Sequence, residues 1–354
     1  MDLTMTKVRP ASPSAAAEWA QRLVIRDLHV QFNSDQGLVH AVNGLSLTVE
    51  PGETLALVGE SGSGKSVTSE AVMGIVDCPP GRVTAAEMRW GDRDLLSLSK
   101  SERKRLCGPT FSLVFQDALT ALNPGFTIGS QIAEMFRVHQ GLSRKEAMAQ
   151  AVESLRRVGI PAAERRAGEY PHEFSGGMRQ RAMIAIAIAL RPKLLFADEP
   201  TTALDVTVQA QVIELIKQIQ QEDGMSLVLV SHDLDLVAQY CDRIAVMYAG
   251  RVVEVGTVAD IYRHSAHPYT RGLISSRPTI QQGRTSLHAI PGLPPRLTEL
   301  PTGCAFHPRC HMATDLCRSA LPPVHEVTAT HQSRCHFAAD LAETHGLSKT
   351  RVAR

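Results

Sequence analysis

No stretch of this chain is both long and apolar. The longest uninterrupted apolar run, Ala182 to Leu190, has nine residues, where a helix crossing a bilayer needs about 20. An excess of one charge is missing too, since 37 Lys and Arg against 36 Asp and Glu leave a formal +1. That balance gives no global bias toward nucleic acid or an anionic membrane, although a local patch stays open. No secretory signal is visible. The first twenty residues, MDLTMTKVRPASPSAAAEWA, are rich in Ala, Ser and Pro and lack an apolar segment followed by a cleavage site. Residues 1–21 therefore read as a disordered leader. There is no internal repeat and no heptad run. Seven cysteines in 354 residues do not make the dense framework of a small disulfide-stapled domain. The expectation is a soluble intracellular protein, free or docked on a membrane partner.

What is present is a globular composition, 44% apolar and 21% charged, in a length that suits one large domain or two ordinary ones. Residues 22–50 alternate apolar and polar positions between turn residues and read as short antiparallel strands. ETLALVGESGSGKSVTSEAVMGIV reads as a buried strand, a glycine-rich loop and a helix. Residues 130–190 are mostly helical by period, with an amphipathic stretch at Lys145 to Val158. PKLLFADEP and SLVLVSHDL are apolar runs ended by polar residues, as in buried parallel strands. RIAVMYAGRVVEVG carries a hairpin signal at Ala249-Gly250. After about Pro268 the composition shifts to prolines and then cysteines, which marks a boundary.

Gly59 to Ser66, GESGSGKS, fits the pattern G-x-x-x-x-G-K-[ST]. Its glycines let backbone N–H groups close around phosphate oxygens, and the helix that follows adds its positive end. Gly59, Ser61, Gly62, Ser63, Gly64, Lys65, Ser66 and Val67 are the candidate nucleotide contacts. Lys65 would reach the β- and γ-phosphates and Ser66 would hold Mg²⁺. LLFADEP places Asp198 and Glu199 at the end of an apolar strand. Asp198 is placed to bind Mg²⁺, and Glu199 to polarise an attacking water. Alone, two acids at a strand end are common; downstream of a phosphate loop they complete a catalytic pair. In FSGGMRQR, Ser175 and Gly177 stand at a helix start as anion ligands. Phe32 is a candidate for stacking on adenine, or equally a core aromatic.

The phosphate loop, SLVFQD with Gln116, FSGGM, LLFADE, ALD (Ala203 to Asp205) and SHD with His232 occur in this order and spacing. Over residues 22–268 they resemble an ABC-type nucleotide-binding domain. The resemblance implies a P-loop α/β fold with a mixed sheet core, an antiparallel β subdomain and a helical subdomain. It also implies an ATP hydrolase whose Ser175, Gly176 and Gly177 close over ATP held by the phosphate loop of another subunit. In that pattern His232 contacts the γ-phosphate and Asp205 lies at the dimer seam. Gln116 touches nucleotide and Mg²⁺ and links them to the helical subdomain. The signature departs from the commonest LSGGQ at Phe174 and Met178, leaving the phosphate-facing residues intact.

Longer stretches, among them FQDALTALNP, YPHEFSGGMRQR, HPYTRGL and GCAFHPRC, resemble the ATPase subunits of oligopeptide and dipeptide importers, with residues 269–354 as that family's C-terminal extension. The resemblance implies a peripheral protein on the cytoplasmic face of the membrane. Its partners would be a second, related ATPase chain, two transmembrane permease subunits and an extracytoplasmic solute-binding protein. Peptides are the family's default solute; nickel chelates, haem or other small solutes stay open. DALTALNPGFTIGSQIAEM, near Asp117 to Met135, is apolar-rich and loop-like, suited to docking a permease or to a buried connection. A soluble ABC ATPase acting on nucleic acid is the competing class. Such chains carry coiled-coil inserts, zinc modules or two cassettes, and none of these is visible, so no nucleic-acid partner is expected. A non-hydrolysing relative would be expected to lose Glu199 or His232.

Cys304, Cys310, Cys317 and Cys335 leave five, six and seventeen residues between neighbours. Zinc modules use shorter gaps, although His307 between the first two keeps a mixed Cys/His site open. Disulfides are disfavoured inside a cell, and four clustered free thiols are the plain alternative. A Pro-rich loop can gather four thiolates around an iron–sulfur cluster, and the similar importer tails point the same way. The expectation is a structural [4Fe-4S] cluster on these four cysteines.

Overall fold

The computed structural model describes residues 21–202, 205–276 and 289–343. The expected leader, and Ala203 and Leu204 of the ALD motif, lie outside the described residues.

Two sheets organise the chain. The first is antiparallel. β1 (Leu23–Ser34) pairs with β2 (Gly37–Val49) on one side and with β4 (Gly81–Thr84) and β5 (Glu87–Trp90) on the other, and β5 carries β6 (Arg93–Asp94). Residues 22–50 thus form two long strands rather than several short ones. Alternation puts Leu23, Ile25 and Val30 of β1 and Val42, Leu45 and Val49 of β2 inside, as one buried face of a sheet requires.

The second sheet has eight strands, β12-β13-β11-β10-β3-β9-β8-β7. β3 (Thr54–Val58), β9 (Ser226–Val230), β8 (Leu194–Asp198) and, at the edge, β7 (Phe111–Val114) run parallel. Every residue of β3, β7 and β9 is buried, the mark of parallel strands covered on both faces. β10 (Arg243–Tyr248) and β11 (Arg251–Thr257) form the expected hairpin. Ala249 and Gly250 have φ of 47° and 78°, the left-handed pair that a two-residue turn of matching twist needs.

Helices cover the sheets. α1 (Lys65–Met73) follows β3 across the phosphate loop. α2 (Ile128–Gln140), α3 (Arg144–Arg157) and α4 (Gly176–Ile188) form a helical subdomain around one apolar core. The loop-like reading of Asp117 to Met135 fails at Ala118–Ala121, a helical turn capped by Asp117, and again from Ile128 onward. Thr127 accepts from Ser130 N and starts α2, with Ile128, Ile132, Ala133 and Phe136 buried. Pro124 and Gly125 confine the irregular backbone to the residues before the cap. α5 (Val206–Asp223) and α6 (Leu234–Tyr240) follow β8 and β9, and α7 (Pro268–Ser275) opens the C-terminal part.

That part has a small apolar cluster around Cys335, Ala338 and Leu341 and otherwise packs onto the main core. Phe306 packs among Tyr248 and Tyr269, with ring centroids 5.2 and 5.4 Å away. β12 (His325–Thr328) and β13 (His331–Ser333) extend the eight-stranded sheet through β11.

Candidate active site

The loop between β3 and α1 needs glycine at two places for space as well as for conformation. A Cβ on Gly59 would sit 2.3 Å from Met247 O, and one on Gly64 2.3 Å from Ala41 O; both residues have positive φ. Inside the loop, Ser63 Oγ is buried and without a hydrogen-bond partner among the described residues. An orphaned hydroxyl in a glycine-rich turn at a helix start fits a bound phosphate. Lys65 Nζ donates to Gly59 O at 2.9 Å and Glu60 O at 3.0 Å. Burial pushes Lys65 below its ordinary pKa, while Glu199, Asp198 and Glu60 pull it back up. Ser61 and Gly62 are exposed, and Val67 is half-buried against the core.

Asp198 ends β8 beside Ser66. Burial pushes its carboxyl up, the hydrogen bond with Ser66 opposes that, and Glu199 adds to the rise. A hydroxyl and a carboxylate in contact behind a phosphate loop are a fitting donor pair for Mg²⁺. Glu199 has φ of 42°, uncommon for a residue with a side chain, and its N–H donates to Val230 O at 3.0 Å. One carboxylate oxygen, Oε2, gathers three neighbours. Gln116 Nε2 donates to it at 3.1 Å, Thr202 Oγ1 donates at 3.0 Å, and His232 Nδ1 lies 3.4 Å away. Sequence reasoning missed Thr202, although it lies in the same DEPTT run.

Other expected residues stand apart. Ser175 caps α4, accepting from Met178 N at 3.3 Å, and no hydrogen bond among the described residues joins it to the phosphate loop. Ser175 and Gly176 are exposed, and a Cβ on Gly176 would meet nothing within 4 Å, so this helix start faces open space. Asp205 caps α5 through Val208 N at 2.9 Å. Phe32 is half-buried in β1 opposite Gly81, against the antiparallel-sheet core.

Residues 42–202 match the family described as ABC transporter, and residues 253–317 match the oligopeptide/dipeptide transporter C-terminal region. The dipeptide transport ATP-binding protein DppD of Escherichia coli (strain K12) is 46% identical over 90% of this chain and 97% of its own length. DppD of Haemophilus influenzae is 47% identical over 89% and 94%. The oligopeptide transport ATP-binding protein OppD of Bacillus subtilis (strain 168) is 48% identical over 87% of each. This chain belongs to the oligopeptide/dipeptide family of ABC-transporter ATPases. Among solved structures, a dimeric ATP-binding cassette bound to ADP and Pi superposes with a TM-score of 0.59 at 26% identity, over 67% of this chain and 98% of that one. The ABC fold read from the motifs is the fold observed.

The extension of this ABC ATPase brings its cysteines together. Cys304, Cys310, Cys317 and Cys335 border one small enclosed chamber, shared with His267 and His307. All four are free thiols. Backbone N–H groups of Phe306, Met312 and Phe337 point at Cys304, Cys310 and Cys335, an arrangement that favours thiolate. Burial still pushes these three thiols up, Cys335 to about 12. Among the described residues no three His, Cys, Asp or Glu side chains converge on one metal ion. The mixed Cys/His zinc site is therefore not formed, and His307 Nδ1 instead lies 3.0 Å from Cys304 O. The [4Fe-4S] expectation likewise finds no assembled metal site here, only a shared chamber.

Proposed function

We propose that this chain is the ATPase subunit that powers peptide uptake through a membrane importer. It would work paired with a second, related ATPase chain beneath two permease subunits supplied by an extracytoplasmic binding protein. The crowding of Glu199 Oε2 carries the catalytic part. With Gln116, Thr202 and His232 on that oxygen, Oε1 takes none of the three contacts and is the one to receive a water proton. Lys65 exchanges two backbone carbonyls for phosphate oxygens, and Ser63 gains the acceptor it lacks. Ser66 and Asp198 would hold Mg²⁺, which neutralises charge on the β- and γ-phosphates. Ser175, Gly176 and Gly177 would close over ATP held by the partner subunit, with Asp205 near the seam. At this chain's own nucleotide, His232 would contact the γ-phosphate and Phe32 would stack on adenine.

A cleft of about 710 Å³ between the phosphate-loop core and the helical subdomain, lined by Ile75, Phe115, Met135 and Val138, suits a permease segment. Phe115 and Val138 are 49% and 67% exposed, unusual for large apolar side chains grouped in one cleft. Among the described residues no helix is long and apolar enough to cross a membrane. The four chamber cysteines are proposed to hold a structural [4Fe-4S] cluster. All four border the one chamber, which supports this reading.

The deciding experiment is reconstitution of the whole importer in vesicles. Peptide uptake should require ATP and stop in Glu199→Gln. Uptake unchanged in that variant would refute the catalytic assignment. Anaerobic purification should give iron and acid-labile sulfide, both lost in Cys310→Ser; stoichiometric zinc without iron would rule out the cluster.

A further inference from the structure

The second residue of the phosphate loop is held by side chains from beyond residue 268. Glu60 N–H donates to the Tyr269 hydroxyl at 2.9 Å. The Glu60 carboxylate accepts from both ends of the Arg309 guanidinium, from Nη1 at 2.7 Å and Nη2 at 2.9 Å. A fork-on-fork pair fixes the carboxylate's plane as well as its distance. Arg309 is only 8% exposed. Its Nε donates to Pro291 O at 2.9 Å, and its guanidinium lies 5.8 Å from the Tyr248 ring centroid. The Glu60 carbonyl in turn receives Lys65 Nζ at 3.0 Å. One residue is thus gripped at its backbone and its side chain, and it positions the lysine that must meet phosphate.

Both grips begin at the cysteine chamber. Arg309 directly precedes Cys310. Tyr269 lies two residues after His267, which borders the chamber and is fully buried. His267 Nδ1 accepts from Tyr269 N at 3.1 Å, so the ring proton of the neutral imidazole sits on Nε2. That atom has no partner among the described residues.

We propose that the cysteine-bearing extension sets the geometry of the phosphate loop through Glu60, with Arg309 and Tyr269 as positioning residues. A rearrangement of the chamber is thereby transmitted as a change in nucleotide affinity. The inference rests on residues 59–66 being the phosphate loop. The glycines leave that loop many conformations, and fixing Glu60 removes much of that freedom before nucleotide arrives. Arg309 is the buried partner of this ion pair, so removing Glu60's charge leaves the guanidinium uncompensated, and the loop would rearrange to hydrate it.

The test is calorimetric titration of the full-length chain with MgADP. Tyr269→Phe keeps the ring in the aromatic cluster and removes only the hydroxyl. Glu60→Gln keeps shape and removes charge. Each should raise the Kd for ADP about fivefold, within the usual range of coupling between sites. Arg309→Met should do the same, and Arg309→Lys should recover part of the loss. Cys310→Ser should raise the Kd in the native chain but add little to Glu60→Gln, because the transmitting pair is already gone. By reciprocity, saturating MgADP should slow amide hydrogen exchange at Cys310 and its neighbours in the chamber wall. Unchanged Kd in folded Tyr269→Phe and Glu60→Gln, or additive effects of Cys310→Ser and Glu60→Gln, would overturn the proposal. Lys65→Ala separates the two levels. If it loses ADP while the Glu60 variants bind normally, the phosphate loop stands and the clamp falls. If it binds normally, the loop reading itself falls.

Discussion

Glu199 combines a left-handed backbone with a carboxylate crowded on one side, and both features aim it. Glu199→Gln retains the hydrogen-bonding shape but not the basicity. Nucleotide affinity should hold while single-turnover hydrolysis slows about 10²–10⁴-fold, the usual worth of a general base, as measured by phosphate release. Lys65→Ala has the opposite signature. It removes charge-assisted bonds worth about 1.5–3 kcal/mol each, so affinity for MgATP should drop about tenfold or more in equilibrium binding. Gly64→Ala should fail for a steric reason, since its methyl carbon would overlap Ala41 O. Loss of binding together with a lowered Tm is the expected result, and normal binding would show that the loop can shift.

At the scale of elements, the start of α4 does two things that one substitution can separate. Ser175 satisfies Met178 N as a helix cap, and the proposed dimer sets its exposed hydroxyl against the partner subunit's ATP. Ser175→Ala should cost about 1 kcal/mol of stability through the lost cap. Ser175→Asp caps equally well but sets a negative charge against the incoming γ-phosphate. Its Tm should stay native while hydrolysis by the assembled importer collapses. If Ser175→Asp hydrolyses normally, the helix start does not meet nucleotide.

For the whole molecule, the proposed split site predicts that the isolated chain is a poor ATPase. Its specific activity should rise with protein concentration, and rise strongly in the assembled importer. Activity independent of concentration in a demonstrated monomer would contradict the split site. Val138→Asp alters an exposed position in the cleft. Stability should change by less than about 0.5 kcal/mol and nucleotide binding should persist, yet the permease subunits should no longer co-purify.

The sequence by itself determined the elements whose signals are local. A Gly-rich turn before a helix, four-residue apolar runs within β3, β8 and β9, and the Ala249-Gly250 turn each require only neighbouring residues to specify them. The same holds for Lys65, Ser66, Asp198 and Glu199, because the phosphate loop and the strand-end acids are short-range patterns. Tertiary structure alone decided what depends on distant segments meeting. It placed Gln116 and His232 beside Thr202 on one oxygen of Glu199, and it left Ser175 exposed with no hydrogen bond, among the described residues, to its own phosphate loop. It also attached residues beyond 268 to the main sheet through β11 rather than leaving a separate tail. The Glu60–Arg309 pair spans 249 positions, and no periodicity or motif encodes it. Only the packing of Phe306 against Tyr248 and Tyr269 brings the two within reach, since burying those rings carries Arg309 to the loop.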